Sequence, residues 1–221
     1  MTWAMLGTLP VRDLRSRYPE QGGTYPRRAL PSIDEYIQHH VGAGEAPTGE
    51  AAALAAIDGI DRYHREHNGW PCIAYALVID GAGTVWWTNG LEVAGYCHGT
   101  HNGRGVGVVW LGDWTYRAPP EVMLRAAYDL WQALQQHLAG MLTLLGHQDV
   151  MQTSCPGEHW PETKLRLLTM SDTIDPEAVR DPLNQLWAKA QIMRRQAVDL
   201  ERMAGEVETH VVQIKQAVGL E

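Results

Sequence analysis

Gly146-His147-Gln148-Asp149-Val150-Met151-Gln152-Thr153-Ser154-Cys155-Pro156-Gly157 is the stretch that decides how this chain folds. It holds a histidine and a cysteine eight positions apart and closes on Pro-Gly, a pair that makes the chain turn. The apolar run Met141-Leu142-Thr143-Leu144-Leu145 feeds into it, so a buried strand can anchor His147 while Cys155 returns on a loop. Imidazole nitrogen and thiolate sulfur together suit zinc, which in catalytic sites takes three protein ligands and keeps a fourth position open. A third ligand must come from elsewhere in the chain, and His39-His40 offers one.

Working outward, Tyr36-Ile37-Gln38-His39-His40 has the character of a short strand, ended by Val41-Gly42-Ala43-Gly44. Thr48 is the expected N-cap of a helix in which Ala51, Leu54, Ala55, Ile57 and Ile60 recur at helical spacing, running to about His64. Ile73 to Ile79 is the clearest strand, bounded by Gly and Pro, and Gly81-Ala82-Gly83 turns it into a hairpin with Thr84-Val85-Trp86-Trp87. A glycine-rich loop, Cys97-His98-Gly99-Thr100-His101-Asn102-Gly103, precedes Gly105 to Gly112, which reads as a buried central strand. Pro119-Pro120-Glu121 opens a second helix with Val122, Leu124, Ala127, Leu130, Trp131, Leu134 and Leu138 expected on its apolar face. Strands that alternate with helices, interrupted by one hairpin, predict an α/β domain with a mixed central sheet of about five strands flanked by helices.

Three segments are expected: an irregular arm over 1–32, rich in Pro, Gly and Arg, a domain over 33–170, and a helical segment over 171–221. In the last, Leu183, Leu186, Ala190, Met193, Ala197, Leu200, Ala204, Val207, Val211, Ile214 and Val218 step by threes and fours over about five heptads, which predicts a long helix that either self-associates through a coiled-coil seam or packs as an amphipathic helix on its own domain. The net charge of −8 argues against a phosphate-tracking nucleic-acid binder. No apolar run is long enough to span a bilayer, so membrane insertion is not expected. Met1-Thr2-Trp3-Ala4-Met5-Leu6-Gly7 carries neither a cationic leader nor a long apolar stretch, so the expectation is synthesis in a cytoplasm without a secretory signal. Cys72, Cys97 and Cys155 are widely spaced and odd in number, which predicts reduced thiols rather than a disulfide framework. Phe is absent while Trp occurs nine times, a bias for which we have no physical account.

Taken together, Ile37-Gln38-His39-His40, Gly69-Trp70 with Ile73 and Tyr75, Gly95-Tyr96-Cys97-His98, Asn102 with Val106-Gly107-Val108, and Gly146-His147-Gln148-Asp149-Val150 through Cys155-Pro156-Gly157 resemble one family. It is the type 2 N-acetylmuramoyl-L-alanine amidases, which share a fold with peptidoglycan recognition proteins and short phage lysozyme-amidases. The resemblance covers about residues 33–165, and the His147–Cys155 loop is its most specific part.

The resemblance implies a zinc ion held by His39, His147 and Cys155, with His40 as the neighbouring alternative to His39. It implies Tyr75 as the catalytic tyrosine and Thr153 as a hydroxyl that supports the same oxyanion. His98 and Asn102 are expected to hold peptide or sugar, and Trp70 to floor the cleft or belong to the core. Some members carry a catalytic glutamate at the position matching Val109, so this chain departs from that subgroup and its general base is left unassigned. His64-Arg65-Glu66-His67 reads as a solvated helix face. The function implied is hydrolysis of the amide between N-acetylmuramic acid and L-alanine in bacterial peptidoglycan. The setting implied is a phage or prophage endolysin, made in the host cytoplasm and acting on the wall after release. The competing expectations are a peptidoglycan-binding protein without catalysis, or a phage structural component carrying such a domain on an oligomeric helix.

Overall fold

A computed structural model describes residues 2–170. The expected helix and heptad seam over 171–221 lie outside the described residues.

Seven strands form one sheet in the order β1-β2-β5-β4-β6-β3-β7. They are β1 (Thr2–Leu6), β2 (Leu9–Asp13), β3 (Glu35–His40), β4 (Leu77–Ile79), β5 (Val85–Trp87), β6 (Gly105–Trp110) and β7 (Thr143–Gly146). The helices are α1 (Glu50–Glu66), α2 (Glu121–Leu138), the single turn α3 (His147–Val150) and α4 (Trp160–Thr169). The sheet is mixed as expected: β3 runs parallel to β6 and β7, β4 runs parallel to β6, and β4–β5 is the antiparallel hairpin.

The strand number corrects the expectation of about five. Residues 2–13 of the supposedly irregular arm form an antiparallel hairpin, with Leu6 opposite Leu9, and β2 then pairs in parallel with β5. Gly7 supplies the turn at φ +58° and lets the chain pass so close to α2 that a Cβ there would stand 2.8 Å from the Ala133 carbonyl oxygen. Leu6 and Val11 are fully buried, and that burial offsets the cost of ordering the hairpin. Composition alone hides this, because polar and apolar residues alternate over too few positions to stand out.

The strand expected over 73–79 is shortened for a different reason. The Ile73 N–H donates to Asp61 Oδ1 at 2.8 Å and the Ala74 N–H to His64 Nδ1 at 3.1 Å, so α1 side chains take the donors a strand neighbour would use. Only Leu77–Ile79 pairs as strand. The first helix begins after Gly49 rather than Thr48, and Ala53, Ile57, Ile60 and His64 form its buried stripe. The described chain ends on α4, unassigned in the sequence, which Trp160, Thr163 and Leu167 fasten to the domain.

The sheet separates two apolar layers. Tyr36, Leu77, Ile79, Val106, Val108 and Trp110 face the layer that includes α2 and α4. Val78, Trp86 and Val109 face the layer that includes Ala53, Ile57 and Ile60 of α1. The alternation of side chains along a strand assigns each residue of β3 and β6 to one layer or the other.

Candidate metal centre

The alternation along β3 separates the two adjacent histidines. Tyr36, Gln38 and His40 fall on the α2 side, where the Tyr36 hydroxyl donates to Gln38 Oε1 at 2.8 Å and the Trp114 N–H donates to His40 Nδ1 at 3.1 Å. His39 falls on the other side and is 1% exposed. Its Nδ1 lies 3.8 Å from Cys155 Sγ, and its ring centroid stands 4.4 Å from that of His147. His39, His147 and Cys155 each offer a ligand atom within 4.8 Å of the others. Of the pair left open in the sequence, the geometry brings His39 into the group. His40 contributes its backbone N–H, which donates to Cys155 Sγ at 3.3 Å.

Each donor is in the form a cation needs, or can reach it. Burial, and then the neighbouring imidazoles, hold His39 well below the usual histidine range, and burial lowers His147 as well, so both rings are neutral at pH 7. His147 Nε2 lies 3.2 Å from Met151 Sδ; a thioether only accepts, so Nε2 carries the proton and Nδ1 the lone pair. Burial pushes the Cys155 thiol up to about 12, against the opposing effect of the His40 N–H. A bound cation reverses that shift by replacing the thiol proton. His39 Nε2 is buried and has no hydrogen-bond partner, a cost the fold tolerates where a function calls for the group. Two imidazoles and one thiol, with no carboxylate in the group, match the ligand types of a catalytic zinc site.

The loop that returns Cys155 is braced from within. The Gln148 N–H donates to the Cys155 carbonyl at 2.7 Å, and the Cys155 N–H donates to Thr153 Oγ1 at 3.2 Å. Thr153 is exposed and keeps its own hydroxyl proton to donate. Asp149 Oδ2 accepts from the Gly146 N–H, Trp160 Nε1 and Lys164 Nζ, each at 2.9 Å, and so ties the start of the loop to α4.

Tyr75 stands beside His39 with ring centroids 5.1 Å apart, and 5.3 Å from His64. With Val41, Ala43, Ala56, Gly59, Ile60, Tyr63 and His64 it lines a cleft of about 530 Å³. Small residues on this side of α1 leave the space: a Cβ on Gly59 would meet nothing within 4 Å. Trp70 is half-buried, packs on His64 with ring centroids 4.7 Å apart and lies at the margin of the core. Val109 pairs with His39 in register and is fully buried, so the family's glutamate position carries no carboxylate here.

Two expectations are corrected. His98 is 1% exposed, with its ring nitrogens 3.1 Å from Cys97 Sγ and 3.0 Å from the Gly105 carbonyl, and its backbone N–H donates to Asn102 Oδ1 at 2.9 Å. Both residues therefore build their own loop, and His98 has no ring nitrogen left for peptide or sugar. His64 is no solvated helix residue: it is buried, burial lowers it to about 4, and its ring faces Tyr75. The signal was present, since His64 continues the 53-57-60 stripe of α1. His67 does lie in solvent, stacked on Tyr63 at 4.6 Å.

A mixed sheet that brings two histidines and a cysteine together near a cleft lined by Tyr75 defines an α/β protein with a candidate metal-binding group. The family model described as N-acetylmuramoyl-L-alanine amidase matches residues 30–158, and the chain belongs to that family. It is 33% identical over 164 residues to the N-acetylmuramoyl-L-alanine amidase of Sus scrofa, covering 71% of this chain and 27% of that protein. It is 35% identical over 106 residues to peptidoglycan-recognition protein LB of Drosophila melanogaster, covering 47% of this chain and 46% of that one. The chain thus spans between about a quarter and a half of the length of these relatives. The solved structure of the Drosophila LB protein superposes with a TM-score of 0.56 at 29% identity, covering 66% of this chain and 88% of that one. The endolysin of a Thermus scotoductus bacteriophage shares the fold, with a TM-score of 0.58 at 22% identity over 71% of this chain and 97% of the other.

Proposed function

We propose that this chain is a zinc-dependent amidase that hydrolyses the bond between N-acetylmuramic acid and L-alanine in bacterial peptidoglycan. The observation that carries the proposal is the convergence of ligand atoms of His39, His147 and Cys155 to within 4.8 Å of one another, with His39 beside Tyr75, which lines the cleft. Family membership supports the substrate class.

Zinc, when bound by these three residues, supplies Lewis acidity and a water of lowered pKa. The chain supplies the rest. Its cleft holds the substrate beside the metal ligands, with apolar walls from Val41, Ala43 and Ile60. Burial keeps the Tyr75 phenol protonated, so its hydroxyl donates to the oxyanion that develops on the scissile carbonyl. Thr153 stands two residues before Cys155 with a hydroxyl proton to give to the same oxygen. Proton traffic from the attacking water has no carboxylate to use at Val109.

Replacing Cys155 by Ser is expected to abolish both zinc retention and the release of stem peptide from purified peptidoglycan, measured by metal analysis and fragment masses. Full activity in that variant would refute the zinc assignment. The endolysin setting is part of the same proposal. Synthesis in the host cytoplasm, with free stem peptide released only at lysis, is its expected signature in the same mass analysis of lysing cells.

A further inference from the structure

We propose that Cys97 and His98, with His39 as third ligand, form a second metal site that selects a soft monovalent cation, Cu(I). It shares His39 with the candidate zinc group, and it is tested separately from the zinc reading.

The geometry begins with β6. Its sequence Gly105-Val106-Gly107-Val108-Val109-Trp110 places two glycines on the His39 side of the sheet. A Cβ on Gly107 would stand 2.8 Å from Cys97 Sγ and 3.1 Å from His98 Cε1, and one on Gly105 would stand 3.1 Å from His98 Nε2. The missing side chains are the space in which Cys97 and His98 sit. One ligand atom each from His39, Cys97 and His98 lies within 4.8 Å of the others.

The protonation pattern follows from the acceptors. The Gly105 carbonyl only accepts, so His98 Nε2, 3.0 Å away, carries the proton. His98 Nδ1 then holds the lone pair, 3.1 Å from Cys97 Sγ, and the thiol donates to it. A backbone carbonyl that fixes the tautomer of a ligating histidine is the usual support behind a metal ligand. Removal of the thiol proton leaves a sulfur and a nitrogen lone pair facing one point. His39 adds the third donor: with Nδ1 toward Cys155, its far nitrogen Nε2 is buried and without a hydrogen-bond partner.

Softness and charge select the ion. A thiolate among imidazoles favours Cu(I) or zinc over hard cations. The Arg28 guanidinium donates to the carbonyls of Asn102 and Gly105, the latter shared with His98, and so places a fixed positive charge behind the pair. One thiolate and two neutral imidazoles neutralise a monovalent cation. A divalent one would leave a net positive charge in a buried place next to that guanidinium. Loading is balanced: the S–H bond breaks, an S–Cu bond forms, one proton leaves to solvent, and both imidazoles bind neutral without any change of oxidation state. A neutral imidazole has one lone pair, so the inner site and the His147–Cys155 site compete for His39 and each weakens the other by the same factor.

The test uses the full chain carrying Cys155→Ser, stripped of metal and titrated without oxygen with Cu(I) against a chromophoric Cu(I) chelator. It should retain one equivalent, whose X-ray absorption shows one sulfur and two nitrogen ligands. Adding Cys97→Ser should weaken retention by more than about 100-fold, the upper end of what loss of an outer partner costs; adding Cys72→Ser should not. Failure of the single variant to hold one equivalent, or a bound ion without a sulfur ligand, overturns the proposal before any Cys97 variant is needed. Equal retention in the Cys97→Ser double variant overturns it as well. Loss of zinc in Cys155→Ser is read separately, so the amidase proposal and this one can fail independently.

Discussion

At the scale of single residues, the site turns on which side of a strand a ring emerges. His39 and His40 are adjacent in sequence, yet one reaches Cys155 with its imidazole and the other with its backbone. Tyr75 is the residue on which the proposed chemistry leans most, because burial keeps its proton while its ring stands 5.1 Å from that of His39. Tyr75→Phe is expected to lower kcat about 100-fold, the loss typical of one oxyanion donor, while zinc content stays at the level of the unaltered protein. Steady-state kinetics beside metal analysis checks this, and an unchanged kcat would remove Tyr75 from the reaction. The candidate ligands were legible from residue type and spacing with His39 or His40 left open, while Tyr75 was reached only through the family resemblance. The roles of His64 and His98 were not, because histidine is polar by composition and only its neighbours decide whether it lies inside.

At the scale of elements, Asp149 links the metal loop to its support. Its carboxylate gathers the Gly146 N–H, the Trp160 indole and the Lys164 ammonium, joining the end of β7 to α4. Burial by itself would raise this acid, and the three hydrogen bonds with the Lys164 charge outweigh it, leaving the group below its ordinary value. A carboxyl depressed in the folded state stabilises above its unfolded pKa and loses that contribution as pH falls through the folded one. The stabilisation is therefore complete at neutral pH and lost only in acid. Asp149→Ala strands buried donors, so a loss of about 1–3 kcal/mol is expected at pH 7. Zinc affinity should fall about 10–100-fold as His147 loosens. Thermal melting and a chelator competition check the two numbers; an unchanged zinc affinity would show that the loop is held without Asp149.

At the scale of the whole molecule, the N-terminal hairpin belongs to the sheet. Arg12 and Asp13 pair with Trp86 and Trp87, and the Leu14 N–H donates to the Trp87 carbonyl at 2.8 Å. Deleting residues 1–13 uncovers the β5 edge and removes the buried Leu6 and Val11. Each of those side chains is worth about 1.5–3 kcal/mol, so a loss of a few kcal/mol is expected. An unpaired edge also invites aggregation. Melting and light scattering of the shortened chain test this, and an unchanged melting temperature would make the hairpin an ornament on the sheet. Among the described residues no helix is long and apolar enough to cross a membrane.

The sequence by itself determined the α/β class, the order of β3, α1, the β4–β5 hairpin, β6, α2 and β7, and the candidate ligands His147, Cys155 and one of His39 and His40. Those features rest on local periodicity, turn residues and spacing, which are properties of the chain read in one dimension. Tertiary structure alone decided that the hairpin over 2–13 extends the sheet, that side chains of α1 stop the 73–79 strand early, and that Cys97 and His98 share a pocket over two glycines. Each of those outcomes depends on which distant backbone donor or empty volume lies next to a residue, and no local pattern carries that information.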